Sequence, residues 1–224
     1  MSTFGEIRTL LSERPSVRAW KRLCKMIDTL PVEECNQMVI PYIRHHLEIS
    51  PRWERLTRNP PEHWLKRFKE NKEFFPAFSI ISHLHLSMYG EEITELLKLL
   101  VDSTDLNLLR MLHLETQMKN KGLLQLCEGE HLLQRLRGLN LTYNQLTAPS
   151  AEHLASLSSL EGLKLLDLSH NKIKDAGVKA LVESEHLRGL KWLNLTDCGC
   201  TDAAEEMIQN SDWPSSIKSN WKRW

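Results

Sequence analysis

The chain has 224 residues, 41% of them hydrophobic and 26% charged, and its 29 Lys+Arg balance 29 Asp+Glu, which is room for one large or two small globular domains. The charge is unevenly placed: residues 1–80 carry 14 basic against 10 acidic groups, residues 81–212 carry 12 against 19, and the last twelve carry 3 against none, so the acidic middle argues against a nucleic-acid partner, whose phosphates need a basic surface. No run of about 18 apolar residues occurs, and the opening MSTFGEIRTLLSERPS has no basic region followed by an apolar block, so the expectation is a cytoplasmic protein without membrane contact.

Residues 1–78 show helical spacing punctuated by Pro15, Pro31, Pro41, Pro51, Pro60, Pro61 and Pro76. The pattern predicts helices near 3–12, 16–29, 32–48, 51–57 and 61–72. Trp20, Leu23, Ile27 and Leu30 share one helical face, and Trp53, Leu56, Trp64, Leu65 and Phe68 can supply a small core.

From residue 79 the pattern changes to a repeat. LRGLNLTYNQL from Leu136, LKLLDLSHNKI from Leu163 and LKWLNLTDCGC from Leu190 superpose at steps of 27 residues. The same register reaches LRMLHLETQMK from Leu109, with Gln117 in the Asn column, and then ISHLHLSMYGE from Ile81, with Tyr89 there. Behind each strand-like segment lies an apolar position of helical type: Leu99, Cys127, Leu154, Leu181 and Ile208. Thr147, Asp175 and Thr201 stand where a helix needs a cap. A fixed period that switches from strand spacing to helix spacing demands stacked strand-and-helix units.

The LxxLxLxx(N/C)xL pattern at 27 or 28 residues resembles leucine-rich repeats of the ribonuclease-inhibitor-like kind. The resemblance implies a right-handed α/β solenoid over residues 79–212, with short parallel strands on the concave face and helices on the convex one. It would follow a small all-helical domain, residues 1–78, and precede a Trp-rich basic tail or cap, residues 213–224. Ahead of the repeats, the helical Trp-containing segment resembles the companion segment of some bacterial leucine-rich-repeat proteins. LPVEECNQMVIPYI followed by PRWERL is similar to the start and Trp region of an F-box, which implies a substrate-recruiting adaptor. A helical cap over the first edge of the solenoid is the third reading of the same residues.

Within each repeat the leucines alternate inward and the residues between them face outward. The outward set is His83, His85 and Ser87; Met111, His113 and Glu115; Asn140, Thr142 and Tyr143; Leu165, Asp167, Ser169 and His170; and Trp192, Asn194, Thr196 and Asp197. Met111, Tyr143, Leu165 and Trp192 have no packing role on an open face, and together with acidic neighbours they suit a protein partner with a basic or partly apolar epitope. Gln117, Asn144, Asn171 and Cys198 occupy the turning position where a buried polar side chain can bond the backbone of adjacent loops.

Cys198 and Cys200, one residue apart, can be a thiol or metal site, but the repeat assigns both to buried architecture. His85 and His113 fall in one column of neighbouring strands about 4.8 Å apart, so two imidazoles can share a metal with His83 or Glu115. The competing reading makes these histidines solvated partner contacts, and the expectation adopted is no metal and no cofactor. The terminal Trp213, Trp221 and Trp224 can cap the last repeat or dock a partner. No nucleophile pair, Walker loop, GxSxG or HExxH is present, so the chain reads as a non-enzymatic interaction protein: a regulatory, scaffold or inhibitory subunit. Its oligomeric state stays open.

Overall fold

A computed structural model describes residues 3–54, 56, 58–88, 90 and 92–220. They form two compact units, one made of residues up to Leu84 together with Ser103–Leu109, the other of His85–Asp102 and everything from Arg110 onward.

The first unit is helical. Helices α1 (Thr3–Ser12) and α2 (Val17–Asp28) are separated by Pro15, and Ser16 caps α2 by accepting the Ala19 amide at 3.0 Å. Helix α3 (Val32–Glu34) runs through a π-helical turn, Cys35–Val39, into α4 (Ile40–Ile49). The sequence pattern predicts unbroken α-helix there. The reason for the wider turn is Pro41, whose ring would otherwise press on the carbonyl four residues back. Short α5 (Pro51–Glu54) and α6 (Glu62–Asn71) follow, with a 3₁₀ turn at Pro76–Ile80.

Three tryptophans tie these helices together, each burying its ring and placing its indole N–H on a fixed acceptor. Trp20 donates to the Asn59 carbonyl at 2.9 Å, Trp53 to the Leu11 carbonyl at 3.2 Å and Trp64 to Asp28 Oδ1 at 2.7 Å. Phe68, Phe74, Phe75 and Phe78 pack edge and face around Trp64. Arg58, only 3% exposed, donates from its guanidinium to the carbonyls of Trp53 at 2.6 Å and Ile80 at 3.0 Å.

The five-stranded parallel sheet, in the second unit except for the first two residues of β1, has the order β1 (His83–Ser87), β2 (Met111–Glu115), β3 (Gly138–Asn140), β4 (Leu165–Asp167) and β5 (Trp192–Asn194). Strands alternate with helices α7 (Glu92–Asp102), α8 (Lys119–Cys127), the short α9 (Glu130–Leu133), α10 (Ala148–Ser156), α11 (Lys174–Glu183) and α12 (Asp202–Asn210). Sequential order with parallel pairing is what a chain of strand-helix crossovers produces. Leu112, Leu114, Leu139, Leu141, Leu166, Leu168, Leu193 and Leu195 are all fully buried on the inner side, against Leu123, Leu126, Leu154, Val178, Leu181 and Ile208 from the helices.

One inward position differs from the pattern. Leu99 is half-buried while Leu100 is fully buried, because helix α7 stands 27 residues before Cys127 in phase even though β1 and β2 are 28 apart. After α12 the chain turns at Pro214 into α13 (Ser215–Asn220). Trp213 and Ile217 are buried, and Ser216 Oγ donates to the Lys191 carbonyl beside β5 at 3.2 Å. The edge of the sheet is thereby covered.

Candidate functional site

Register fixes the outward side of the sheet in rows. Met111, Gly138, Leu165 and Trp192 are paired across β2 to β5, so one line perpendicular to the strands holds three half-buried apolar side chains. Gly138 supplies the gap in that line. A Cβ there would collide with the Met111 Sδ and Cε atoms, so the methionine lies across the glycine toward Leu165. Sequence phase names Met111, Leu165 and Trp192 as outward but gives no hint that glycine makes them one surface.

The next row is His113, Asn140, Asp167 and Asn194. The last three end their strands in the same way. Asn140 Oδ1 accepts the Thr142 amide at 3.0 Å, Asp167 Oδ1 the Ser169 amide at 3.0 Å and Asn194 Oδ1 the Thr196 amide at 3.1 Å. A short polar side chain bonding two residues onward turns the backbone out of the ladder. Sequence phase names Thr142, Asp167 and Ser169 as contact residues. All three are buried, at 9%, 8% and 4% exposure, and are spent on one another: Thr142 Oγ1 donates to the Ser169 carbonyl, and Ser169 Oγ to Asp167 Oδ1 at 2.6 Å.

Beyond the strand ends, Tyr143, His170 and Asp197 all adopt left-handed backbone, with φ of 57°, 55° and 53°. Tyr143 stacks on His170 with centroids 4.1 Å apart and planes 5° apart, and His170 Nδ1 lies 3.0 Å from Asp197 Oδ2. The trio thus joins a stacked ring pair to an ion-pair contact at the ends of three successive strands. Tyr143 is 50% exposed.

His85 and His113 stack with centroids 3.9 Å apart and planes 5° apart. Glu115 joins them, and the three offer ligand atoms all within 4.8 Å of one another. His113 Nε2 is buried and has no hydrogen-bond partner among the described residues. Burial, and secondarily the neighbouring His85, lower the pKa of His113. His83 is not in this group. It belongs to the first unit, where its Nδ1 is 2.8 Å from Ser82 Oγ, and burial followed by Arg58 lowers its pKa.

Behind the face runs the polar ladder. Asn171 Oδ1 accepts the amides of Asn144 at 3.1 Å and Leu146 at 2.9 Å, while its Nδ2 donates to the carbonyls of Leu141, Leu168 and Ser169. Asn144 repeats this one unit earlier, accepting from Thr116 and Met118 and donating to Leu114 and Thr142. Cys198 takes the same place with sulfur. Its thiol donates to the Leu168 carbonyl at 2.9 Å, the amides of Asn171 and Ile173 bond to it, and burial pushes its pKa up to about 12.

Gln117 is not the fourth rung. It is exposed, and its side-chain Oε1 accepts from Gln145 Nε2 at 3.3 Å. The buried equivalent is Thr116, whose hydroxyl donates to Asn144 Oδ1 at 3.0 Å. The turn of this repeat is one residue short and its helix side one residue longer, so equal strand steps conceal the shift. Cys200 likewise departs from expectation, being half-exposed where Cys198 is buried.

Trp213 is buried, at 4% exposure. Trp221 and Trp224, like Tyr89, lie outside the described residues. A cleft of about 770 Å³ in the first unit, lined by Val17, Trp20, Cys24, Pro60, Pro61 and His63 among others, was not foreseen. The one signal for it in sequence is Val17, an apolar residue at a helix start that ends 58% exposed.

The 27-residue strand step, the buried leucine columns and the Asn/Cys ladder point to one repeat family. Residues 163–182 match the family described as Leucine Rich repeat. No curated protein matches the chain. The α/β fold, a five-strand parallel sheet alternating with helices, is consistent with a leucine-rich-repeat solenoid preceded by N-terminal helices. Leucine-rich-repeat domains generally mediate protein binding and are usually non-enzymatic. Among the described residues no helix is long and apolar enough to cross a membrane.

Proposed function

We propose that the protein is a non-enzymatic interaction module that holds a protein partner on the outward side of its sheet, as a regulatory, scaffold or inhibitory subunit of a complex. The observation that carries this reading is the apolar line Met111–Gly138–Leu165–Trp192, set beside Tyr143. Apolar and aromatic anchors with a polar surround are the composition of binding hot spots, since burying them on association releases water from large areas. Glu115 and Asp197 beside them favour a partner that brings basic groups.

The test begins by identifying the partner through affinity purification from the native cell, followed by affinity measurement on variants. Trp192→Ala and Tyr143→Ala are each expected to lose about 2 kcal/mol, roughly 30-fold in Kd, with the circular dichroism of the wild type retained. Normal binding by both variants would show that the wrong face has been assigned.

An adaptor is the second reading, in which the N-terminal helices recruit another protein, and the cleft around Val17 and Trp20 favours it. Val17→Glu places a charge on the rim of that cleft. It is expected to abolish recruitment of the second protein while the partner of the sheet still binds.

A further inference from the structure

We propose that His85, His113 and Glu115 form a binding site for a divalent transition ion of the zinc class. The expectation from sequence is a protein without metal, and the reasons for departing from it are geometric. Three donors of complementary type lie together on one face of the sheet, with ligand atoms all within 4.8 Å of one another. They rest on adjacent strands β1 and β2, and Glu115 stands two residues beyond His113, hence on the same face. Strands hold ligands more firmly than loops do.

The donor set selects the metal. Two imidazoles with one carboxylate suit zinc and its borderline neighbours, whereas magnesium and calcium require oxygen ligands throughout. Three protein ligands also leave one position of a tetrahedral ion to water or to a donor from outside the chain.

A second observation comes from His113 itself. Its Nε2 is buried without a hydrogen-bond partner among the described residues, and such a group costs about 1–3 kcal/mol unless something satisfies it. A metal ion satisfies it.

The stacked arrangement is a resting state for this site. Parallel rings 3.9 Å apart direct their lone pairs alongside one another, and a shared ion needs them to converge. With metal–ligand bonds of about 2.0–2.2 Å, the donors around a tetrahedral ion sit roughly 3.4 Å apart. The widest pair in the cluster therefore closes by up to about 1.4 Å. His85 is exposed, so it makes this movement by turning about its side-chain bonds while the half-buried His113 and Glu115 stay in place.

The test uses the full-length chain, stripped with chelator and titrated with zinc chloride at neutral pH by calorimetry. One saturable equivalent is expected, together with tetrahedral ligand-field bands when cobalt(II) replaces zinc, and no heat with magnesium. His85→Ala, His113→Ala and Glu115→Gln are each expected to weaken zinc binding by more than the roughly 10-fold that loss of an outer-shell partner causes. His83→Ala is expected to change nothing, and circular dichroism verifies that each variant is folded. Absence of saturable zinc binding overturns the proposal, and so does unchanged affinity in the His85→Ala/His113→Ala double variant, because the ion then sits elsewhere. Zinc titration of the chain alone is independent of partner binding, so failure here leaves the interaction reading standing.

Discussion

Replacing Asn171 with alanine removes the most heavily used side chain of the polar ladder. Asn171 is 4% exposed, accepts the amides of Asn144 and Leu146 and donates to three carbonyls. The carbonyls of Ser169 and Leu168 keep other partners, and a carbonyl tolerates a lost partner better than an amide does, so the cost is reckoned on the two amide donors. At about 1–3 kcal/mol for each buried orphan, the loss is about 2–6 kcal/mol, a large part of the roughly 5–15 kcal/mol that stabilises a typical domain. Asn171→Cys should cost less than alanine, because sulfur accepts the two equivalent amides at Cys198. The assay is urea unfolding followed by far-UV circular dichroism, with Lys179→Ala as the control. Lys179 has a 62% exposed side chain and an ion pair only to Glu183, so its loss should stay within about 0.5 kcal/mol. If Asn171→Ala costs no more than that control, the ladder is not what joins the repeats.

Three further outcomes follow from burial. A bulky thiol reagent should modify half-exposed Cys200 well before Cys198, which is fully buried and whose thiol pKa is pushed up to about 12; mass spectrometry of labelled peptides in the opposite order would contradict the ladder geometry. His83 has a lowered pKa in the folded chain, so its neutral form is favoured there, and the stability this gives is full above about pH 6.5, the ordinary histidine value, and falls as pH drops below it. His83→Gln should therefore flatten the fall in unfolding free energy between about pH 7 and pH 5, around the ordinary histidine pKa; an unchanged slope assigns the titration to other groups. Trp213→Ala should cost about 3–5 kcal/mol as a buried large-to-small change, visible as a lower urea midpoint with partner affinity unchanged in the folded protein; weakened binding at full stability would restore Trp213 as a docking anchor.

The sequence by itself determined the repeat, since a leucine at every inward position of five strands spaced 27 or 28 residues apart serves one purpose, and burial at 0% for Leu112, Leu139, Leu166 and Leu193 follows from that period alone. It also determined the helices of the N-terminal segment, because proline and capping residues act within a turn or two of where they stand. The tertiary structure decided what depends on neighbours distant in sequence. Thr116 and not Gln117 meets Asn144 because a shortened turn and a lengthened helix side cancel in the spacing. Asp167 and Thr142 are buried, and Ser169 and Asn140 take up their hydrogen-bonding capacity. Only strand register aligns Met111, Gly138, Leu165 and Trp192 into one surface, and only the neighbouring strand brings His85 onto His113. A period states which side of the strand a residue faces; which partner it then meets is set by pairing between strands, where one residue of slip reassigns every contact.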